Sequence, residues 1–352
     1  MSGMITVGLD LAKSVFQVYG RDIEQKTLFN KQLKRKDVVS FFAALPPCHV
    51  GVEACGSAHY WARALKALGH TVKLMPPKYV KGYLKRGKTD ATDAEAICEA
   101  ASRAHVTEVP AKSEAQQCAL MLHKARETLI RQRTLMANTI RAHMAELGVI
   151  DAAGGEGMKR LLALLNDDAN PVLSASAQAA LRPLALTFAA ICVSISKLDA
   201  AISRAHRHDE TSRRLETIPG VGRMAATAFA AGVGHAAAFK SARHFAASLG
   251  LTPKLDGTGG KVRLGSITKQ GNGYLRRLLY LGAVARLAWA SRKPDKASPW
   301  LRRLLAAKSF KSAAIALANK MARTIWALLA RGGTYIADHR PAEYAAPVSA
   351  RQ

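Results

Sequence analysis

The sequence predicts an α/β layer followed by a mainly α-helical remainder (class α/β + α). Three observations lead there. Short apolar runs alternate with helical patterns through the first 110 residues, the spacing of an α/β layer. From about residue 113 the apolar residues keep helical spacing over long stretches. An apolar content of 49% in 352 residues supports a sizeable core and two or three domains.

Taken in order, Ile5 to Asp10 reads as a strand ending on an acid, and Ser14 to Tyr19 pairs back on it around Leu11-Ala12-Lys13. Lys26 to Leu33 adds a third strand. Asp37 to Leu45 is helical, closed by Pro46-Pro47. Cys48 to Glu53 is a second strand ending on an acid. Ser57 to Leu68 is a helix with Gly69 as its C-cap, and His70 to Met75 is a strand halted by Pro76-Pro77. The next helix carries Asp90 and Asp93 and runs to about Arg103. Two long helical stretches follow, Ser113 to Leu147 and Val172 to His208, separated by a Gly-rich break from Asp151 to Gly157. Their apolar stripes read as an intramolecular coiled-coil spacer or as a dimerisation arm. Ile218-Pro219-Gly220-Val221-Gly222 then resembles the turn of a helix-hairpin-helix. There Gly220 and Gly222 would let backbone N–H groups approach a phosphate; the same residues also suit an ordinary tight turn between helices.

The 52 Lys and Arg against 25 Asp and Glu give a net charge of +27 and make a polyanion, nucleic acid, the expected partner. From Lys254 to Arg323 there are 16 Lys and Arg and only two acids, with Tyr274, Tyr280, Trp289 and Trp300 interleaved. That mixture suits a surface tracking a nucleic-acid backbone, although Trp289 reads better as a core anchor. Five scattered cysteines without a Cys-x-x-Cys pair suggest neither a disulfide framework nor a zinc ribbon. No secretory signal or membrane span is read, so a cytoplasmic protein is expected.

Against this basic background the acids stand out. Asp90 and Asp93 share one helix face, and two carboxylates so close repel unless a cation lies between them. Asp10 and Glu53 each end a strand. Gathered at one sheet edge, the four would form a hard-oxygen site for Mg²⁺ or Mn²⁺ and for phosphodiester chemistry. Singly, Asp10 reads as a solvated strand end and Asp90 as a helix N-cap. A second candidate is Asp256-Gly257-Thr258-Gly259-Gly260-Lys261. Its Gly-rich backbone, with Lys261 and Arg263, suits a phosphate wrapped around the Thr258 hydroxyl; the alternative is a flexible turn between helical elements.

Several segments, in this order, carry a resemblance: Gly8-Leu9-Asp10-Leu11-Ala12-Lys13, Val52-Glu53-Ala54-Cys55-Gly56, Lys88-Thr89-Asp90-Ala91-Thr92-Asp93-Ala94, Ile218 to Gly222, Gly250-Leu251-Thr252-Pro253, Gly259 to Lys269, and Tyr274-Leu275-Arg276-Arg277. Over nearly its whole length the chain resembles the DEDD-type transposases of bacterial insertion sequences, the group of bridge-RNA-guided recombinases. The resemblance implies an RNase H-like (RuvC-like) domain over residues 1–110 whose four acids, catalytic and metal-binding, are Asp10, Glu53, Asp90 and Asp93. It implies a helical coiled-coil spacer over 111–210, a mainly α transposase domain over 211–335 and a tail over 336–352. A nucleophilic hydroxyl is implied five residues after Pro253, at Thr258, where the family usually has serine; Ser266 is the nearest serine. Both domains would meet at the reacting phosphate, and the hydroxyl would form a covalent link to DNA. Donor and target DNA, a structured noncoding guide RNA and a homodimer or homotetramer are the implied partners. Lys13, Lys88, Gly220, Gly222, Gly259, Gly260, Lys261, Arg263, Lys269, Arg276 and Arg277 are the expected nucleic-acid contacts. Two rival readings are a metal-dependent nuclease or junction resolvase using only the acids, and a binding scaffold without chemistry.

Overall fold

A computed structural model describes residues 5–84, 87, 89–258 and 261–337 of the chain. They fall into two compact units, residues 1–117 and 118–352. The first is built on a five-stranded mixed sheet and the second is mostly helical.

In the first unit, β1 (Thr6–Asp10), β2 (Val15–Arg21) and β3 (Thr27–Lys34) form an antiparallel meander. After α1 (Val38–Ala43), strand β4 (His49–Glu53) returns parallel to β1. Helix α2 (Ala58–Ala67) then leads to β5 (Thr71–Met75), parallel to β4. The sheet order is β3-β2-β1-β4-β5. The short α3 (Pro77–Val80) and the longer α4 (Asp90–Ser102) complete the unit.

Alternation along the strands sorts the side chains onto two faces. Val7, Leu9, Phe16, Val18, Val50 and Val52 are fully buried and belong to a core with Phe42 of α1 and Trp61 and Leu65 of α2. The intervening residues, including Gly8, Asp10, Tyr19, Gly51 and Glu53, lie on the opposite face, where α4 packs. Gly8 and Gly51 are register partners on β1 and β4. A Cβ on Gly8 would stand 2.1 Å from the Ala94 carbonyl oxygen and 2.5 Å from the Cys98 nitrogen; one on Gly51 would stand 2.5 Å from Ala101 Cβ. This pair of glycines is the bed in which α4 lies. Two cationic side chains hold the helix there. Arg21 of β2 reaches Glu95 at 3.0 Å and Glu99 at 2.7 Å. Lys73 of β5 donates to the carbonyls of Ala101 and Arg103 at the helix's C-terminal end, at 3.2 and 2.7 Å.

Helix α5 (Glu114–Glu146) begins at the end of the first unit and runs into the second, where α6 (Gly155–Asn166) and α7 (Ala175–His208) follow. The sequence reading places a Gly-rich break over 151–157 and no helix before Val172; α6 is the correction, and it starts inside that break. Its Met158, Leu161 and Leu165 fill one buried cluster with Ile140 and Met144 of α5 and Leu181 and Ala185 of α7. Arg126 pairs with Asp199 nearer the other end of the two long helices. Helix α7 is long and apolar enough, by length and composition, to cross a membrane. Its buried stripe, including Leu181, Ile195 and Ile202, packs inside the unit, whereas Leu186 and Val193 are exposed.

After α8 (Glu210–Glu216), α9 (Arg223–Gly232) and α10 (Ala242–Ser248), the chain enters a hairpin, β6 (Pro253–Thr258) and β7 (Lys261–Ile267). Helices α11 (Gly273–Arg292), α12 (Pro299–Ala307) and α13 (Phe310–Arg331) close the unit. Leu279, Ala283 and Leu287 of α11 and Ala314, Ala318 and Ile325 of α13 are buried in one core with Phe229 of α9.

At the root of α5, His123 is buried between α9 and α11. Its Nε2 lies 3.0 Å from Thr227 Oγ1 and its Nδ1 lies 2.9 Å from Tyr274 Oη. The Thr227 hydroxyl donates to the Arg223 carbonyl at 2.8 Å, so it accepts from Nε2–H, and Tyr274 donates to Nδ1. The neutral ring this requires matches its pKa, pushed down to about 4 by burial and by Arg126.

Candidate active site

Asp10 and Glu53 end neighbouring parallel strands on the α4 face. Leu9 pairs with Val52, so the two acids follow side by side at the carboxyl edge of the sheet. Asp90 and Asp93 lie in the first turn of α4. Thr89 and Thr92 form its capping box: Thr89 Oγ1 accepts from the Thr92 nitrogen at 3.2 Å, and the Thr89 nitrogen donates to Thr92 Oγ1 at 3.0 Å. The threonines therefore take the capping role that the sequence also allowed for Asp90, and leave both carboxylates available. The helix dipole favours negative charge at this end.

Asp10 feels the other three acids. The Asp10 carboxyl is pushed up to about 6, first by burial and then by the charges of Asp93, Asp90 and Glu53. Asp93 Oδ1 is buried without a hydrogen-bond partner, an arrangement that costs free energy unless something else satisfies it. These are donors suited to a hard divalent cation: all carboxylate oxygen, mutually repelling, one oxygen unpaired. As the side chains stand, no three His, Cys, Asp or Glu residues among the described residues lie close enough together to chelate an ion. Sequence reasoning passed over Cys55, whose thiol is pushed up by burial and by the fields of Glu53 and Asp10. Its place two residues after a strand-end acid was the available signal.

Thr258 is the last residue of β6 and pairs with Lys261, the first of β7. The sequence suggested a loop between helical elements; the structure has a β-hairpin here. Gly259 and Gly260 lie outside the described residues, as do the side chains of Thr258 and Lys261. Arg263 pairs with Asp256 in the ladder, and both are exposed.

The other expected contacts divide. Lys13 is exposed in the β1–β2 turn and Lys269 is exposed with a φ of 54°, while Lys88 lies outside the described residues. Gly222 is the N-cap of α9, with open space where a Cβ would stand. Gly220 has a φ of 95°, and a Cβ there would meet the Gly282 carbonyl oxygen of α11 at 3.0 Å. Its backbone freedom serves a crossing of chain on helix inside the unit. Arg276 donates to the carbonyls of Leu249 and Gln270 at 3.0 and 2.7 Å, anchoring the segment after the hairpin. Arg277 lies over the Tyr274 ring and pairs with Glu127 at 3.1 Å while remaining half-exposed.

Comparison with known proteins adds the following. A family model for transposases of the DEDD type of IS110 matches residues 7–148. A model described as the transposase IS116/IS110/IS902 family matches residues 212–305. The chain is 45% identical over 331 residues to a Pseudomonas aeruginosa protein named "Probable family 20 transposase", covering 94% of this chain and 98% of that one. It is 36% identical to the transposase for insertion sequence element IS1111A of Coxiella burnetii (95% and 92% covered). It is 34% identical to the transposase for insertion sequence element IS1328 of Yersinia enterocolitica (95% and 99% covered).

Proposed function

The chain belongs to the IS116/IS110/IS902 family of insertion-sequence transposases, and from that premise we propose that Asp10, Glu53, Asp90 and Asp93 form its DNA-cleavage site on an RNase H-like domain. The single observation that carries this reading is the raised Asp10 carboxyl, surrounded by the other three acids. The sheet order β3-β2-β1-β4-β5 and the placement of α4 on one face support it.

The four acids would hold Mg²⁺ or Mn²⁺, which when bound supplies charge neutralisation at a phosphodiester. Thr258 is the proposed nucleophile: its Oγ1 would form a bond to phosphorus as a P–O bond of the DNA breaks, leaving a phosphothreonyl link and a free DNA hydroxyl. Basic side chains such as Arg263, Lys269 and Lys13 would position the backbone. The charge of +27 supports simultaneous binding of donor DNA, target DNA and a structured guide RNA. By resemblance, residues 111–210 would be a spacer and the protein would be a homodimer or homotetramer. Met121 and Leu135 of α5 and Leu186 and Val193 of α7, all exposed, support a second copy along the long helices.

Two results are expected. On a denaturing gel, wild-type protein incubated with insertion-sequence-end DNA and Mg²⁺ will give a protein–DNA adduct that survives heat and detergent. Thr258→Ala will lose it, and Thr258→Ser will raise its yield several-fold. Nicked DNA with no adduct would favour the acid-only nuclease.

The second result concerns pH. Folded, cation-free Asp10 holds its proton up to about 6, against ~3.9 in the unfolded chain. The fold therefore takes up a proton in this window, and cation-free stability falls as pH rises through it. Cation binding needs the carboxylates, so the rise in Tm given by Mn²⁺ will be small at about pH 5 and large at about pH 7.5. A rise of equal size at both would count against the acid site.

A further inference from the structure

The row of side chains that holds Asp10 continues sideways across the sheet. Asp10 is the register partner of Gln17 on β2, and Gln17 is the partner of Gln32 on the edge strand β3. Asn30 lies two residues before Gln32 on the same face, and its Oδ1 accepts a hydrogen bond of 2.6 Å from Gln17 Nε2. Gln17 is 6% exposed, whereas Asn30 and Gln32 are open to solvent. Facing them is the start of α4, with Thr89 and Asp90. An open cavity of about 580 Å³ lies between, within the range of roughly 300–1,000 Å³ typical of small-ligand pockets.

The chemistry of the row changes as it leaves the acid cluster. Carboxylates give way to carboxamides, which both donate and accept and carry no charge. Lys31 also borders the groove, but its Nζ lies 4.4 Å from the centre of the Phe41 ring, over the α1 side of the sheet. The residues lining the wall of the groove opposite α4, Gln17, Asn30 and Gln32, are therefore neutral and rich in hydrogen-bonding groups, and the next cation on that face, Lys34, lies beyond the lining. Such a wall suits the base or sugar edge of a nucleotide better than a second phosphate, which would want a cation. The bond from Gln17 occupies the Asn30 oxygen and leaves the Asn30 amide N–H groups to donate outward.

We propose that this groove holds one nucleotide of the cleaved strand, next to the scissile phosphate, with Asn30 and Gln32 hydrogen-bonding its base or sugar edge. Gln17 is a positioning residue that fixes the Asn30 amide. The proposal rests on the acid cluster being the cleavage site, and it adds the substrate contact on the β3 side of that cluster.

The test uses the full chain and a fluorescent oligonucleotide of the insertion-sequence end, with Ca²⁺ in place of Mg²⁺. The double variant Asn30→Ala/Gln32→Ala will bind about tenfold more weakly, from the loss of two hydrogen bonds. Its slope of log Kd against log salt and its Tm will stay at the wild-type values, because no charge is removed and both residues are exposed. Gln32→Lys will steepen that slope by roughly 0.7–0.9 if a strand runs past it. Wild-type affinity in the double variant together with a wild-type slope in Gln32→Lys would overturn the proposal. The Mn²⁺-dependent rise in Tm, measured on the same proteins, separates the two readings. If it persists while the binding results are negative, the groove fails and the acid site stands. If it is absent from wild type while the variants still bind weakly, the groove stands as a nucleic-acid contact and the acid site fails.

Discussion

Replacing Asp10 by Asn will stop DNA cleavage and, at the same time, make the cation-free protein more stable at neutral pH. The two effects share one cause. In the fold the Asp10 charge is disfavoured by burial and by three neighbouring carboxylates. The amide keeps the shape and removes the repulsion. Partial exposure to solvent discounts the gain, so a rise in Tm on the order of 3 °C is expected. Strand cleavage will fall at least ~10²-fold, as for loss of a group that organises charge at a reacting phosphate. Differential scanning fluorimetry without divalent cation and a gel-based cleavage assay check the pair. The same variant will lose most of the Mn²⁺-dependent rise in Tm. A cation-free protein destabilised by Asp10→Asn would contradict the idea that the site is electrostatically frustrated until neutralised.

A large effect on stability is expected at Gly8. Its Cβ position falls 2.1 Å from one backbone atom of α4 and 2.5 Å from another, so Gly8→Ala displaces the whole helix. A cost on the order of 3 kcal/mol and a fall in Tm of ~10 °C or more follow from overpacking of this kind. Gly51, its register partner, gives a contrasting result. A Cβ there meets the Ala101 side chain at 2.5 Å, with the Ile97 carbonyl oxygen less close at 3.0 Å. Gly51→Ala will therefore be partly rescued by Ala101→Gly, whereas no side-chain change on α4 removes the clash at Gly8. Thermal melts of the two single variants and of Gly51→Ala/Ala101→Gly check this. Equal rescue of both glycine variants would mean that the helix is free to shift.

Much of the first unit was legible in the residues. Strands ending on Asp10 and Glu53, and a helix opening on Asp90 and Asp93, could be read because apolar alternation and capping residues are local signals. The bed for α4 was not legible: Gly8 and Gly51 are 43 positions apart, and only the parallel register of β1 and β4 places them together. The Gln17–Asn30 pair was hidden for the same reason. The hairpin β6–β7 carried a readable signal, two short runs around a Gly-Gly turn, but its exposed strands, with Leu255 and Leu264 paired and mostly solvated, lack the apolar face that marks a core strand. At Gly220 the motif called for close backbone approach, and the close neighbour on its Cβ side, Gly282 of α11, is not legible from the sequence.

The His123 contact has a mechanical meaning. Thr227 and Tyr274 grip α5 near its first turns and join it to α9 and α11 at that point, so the long helix is a lever with its fulcrum at His123. From there to Met144 the helix runs 21 residues, roughly 30 Å at 1.5 Å per residue. A tilt of ~10° at the fulcrum would carry the far end, with α6 and the start of α7 packed on it, through about 5 Å. The imidazole between the two hydroxyls is buried and uncharged, so this joint is held without a buried charge, and any change of angle there is amplified along the length of α5.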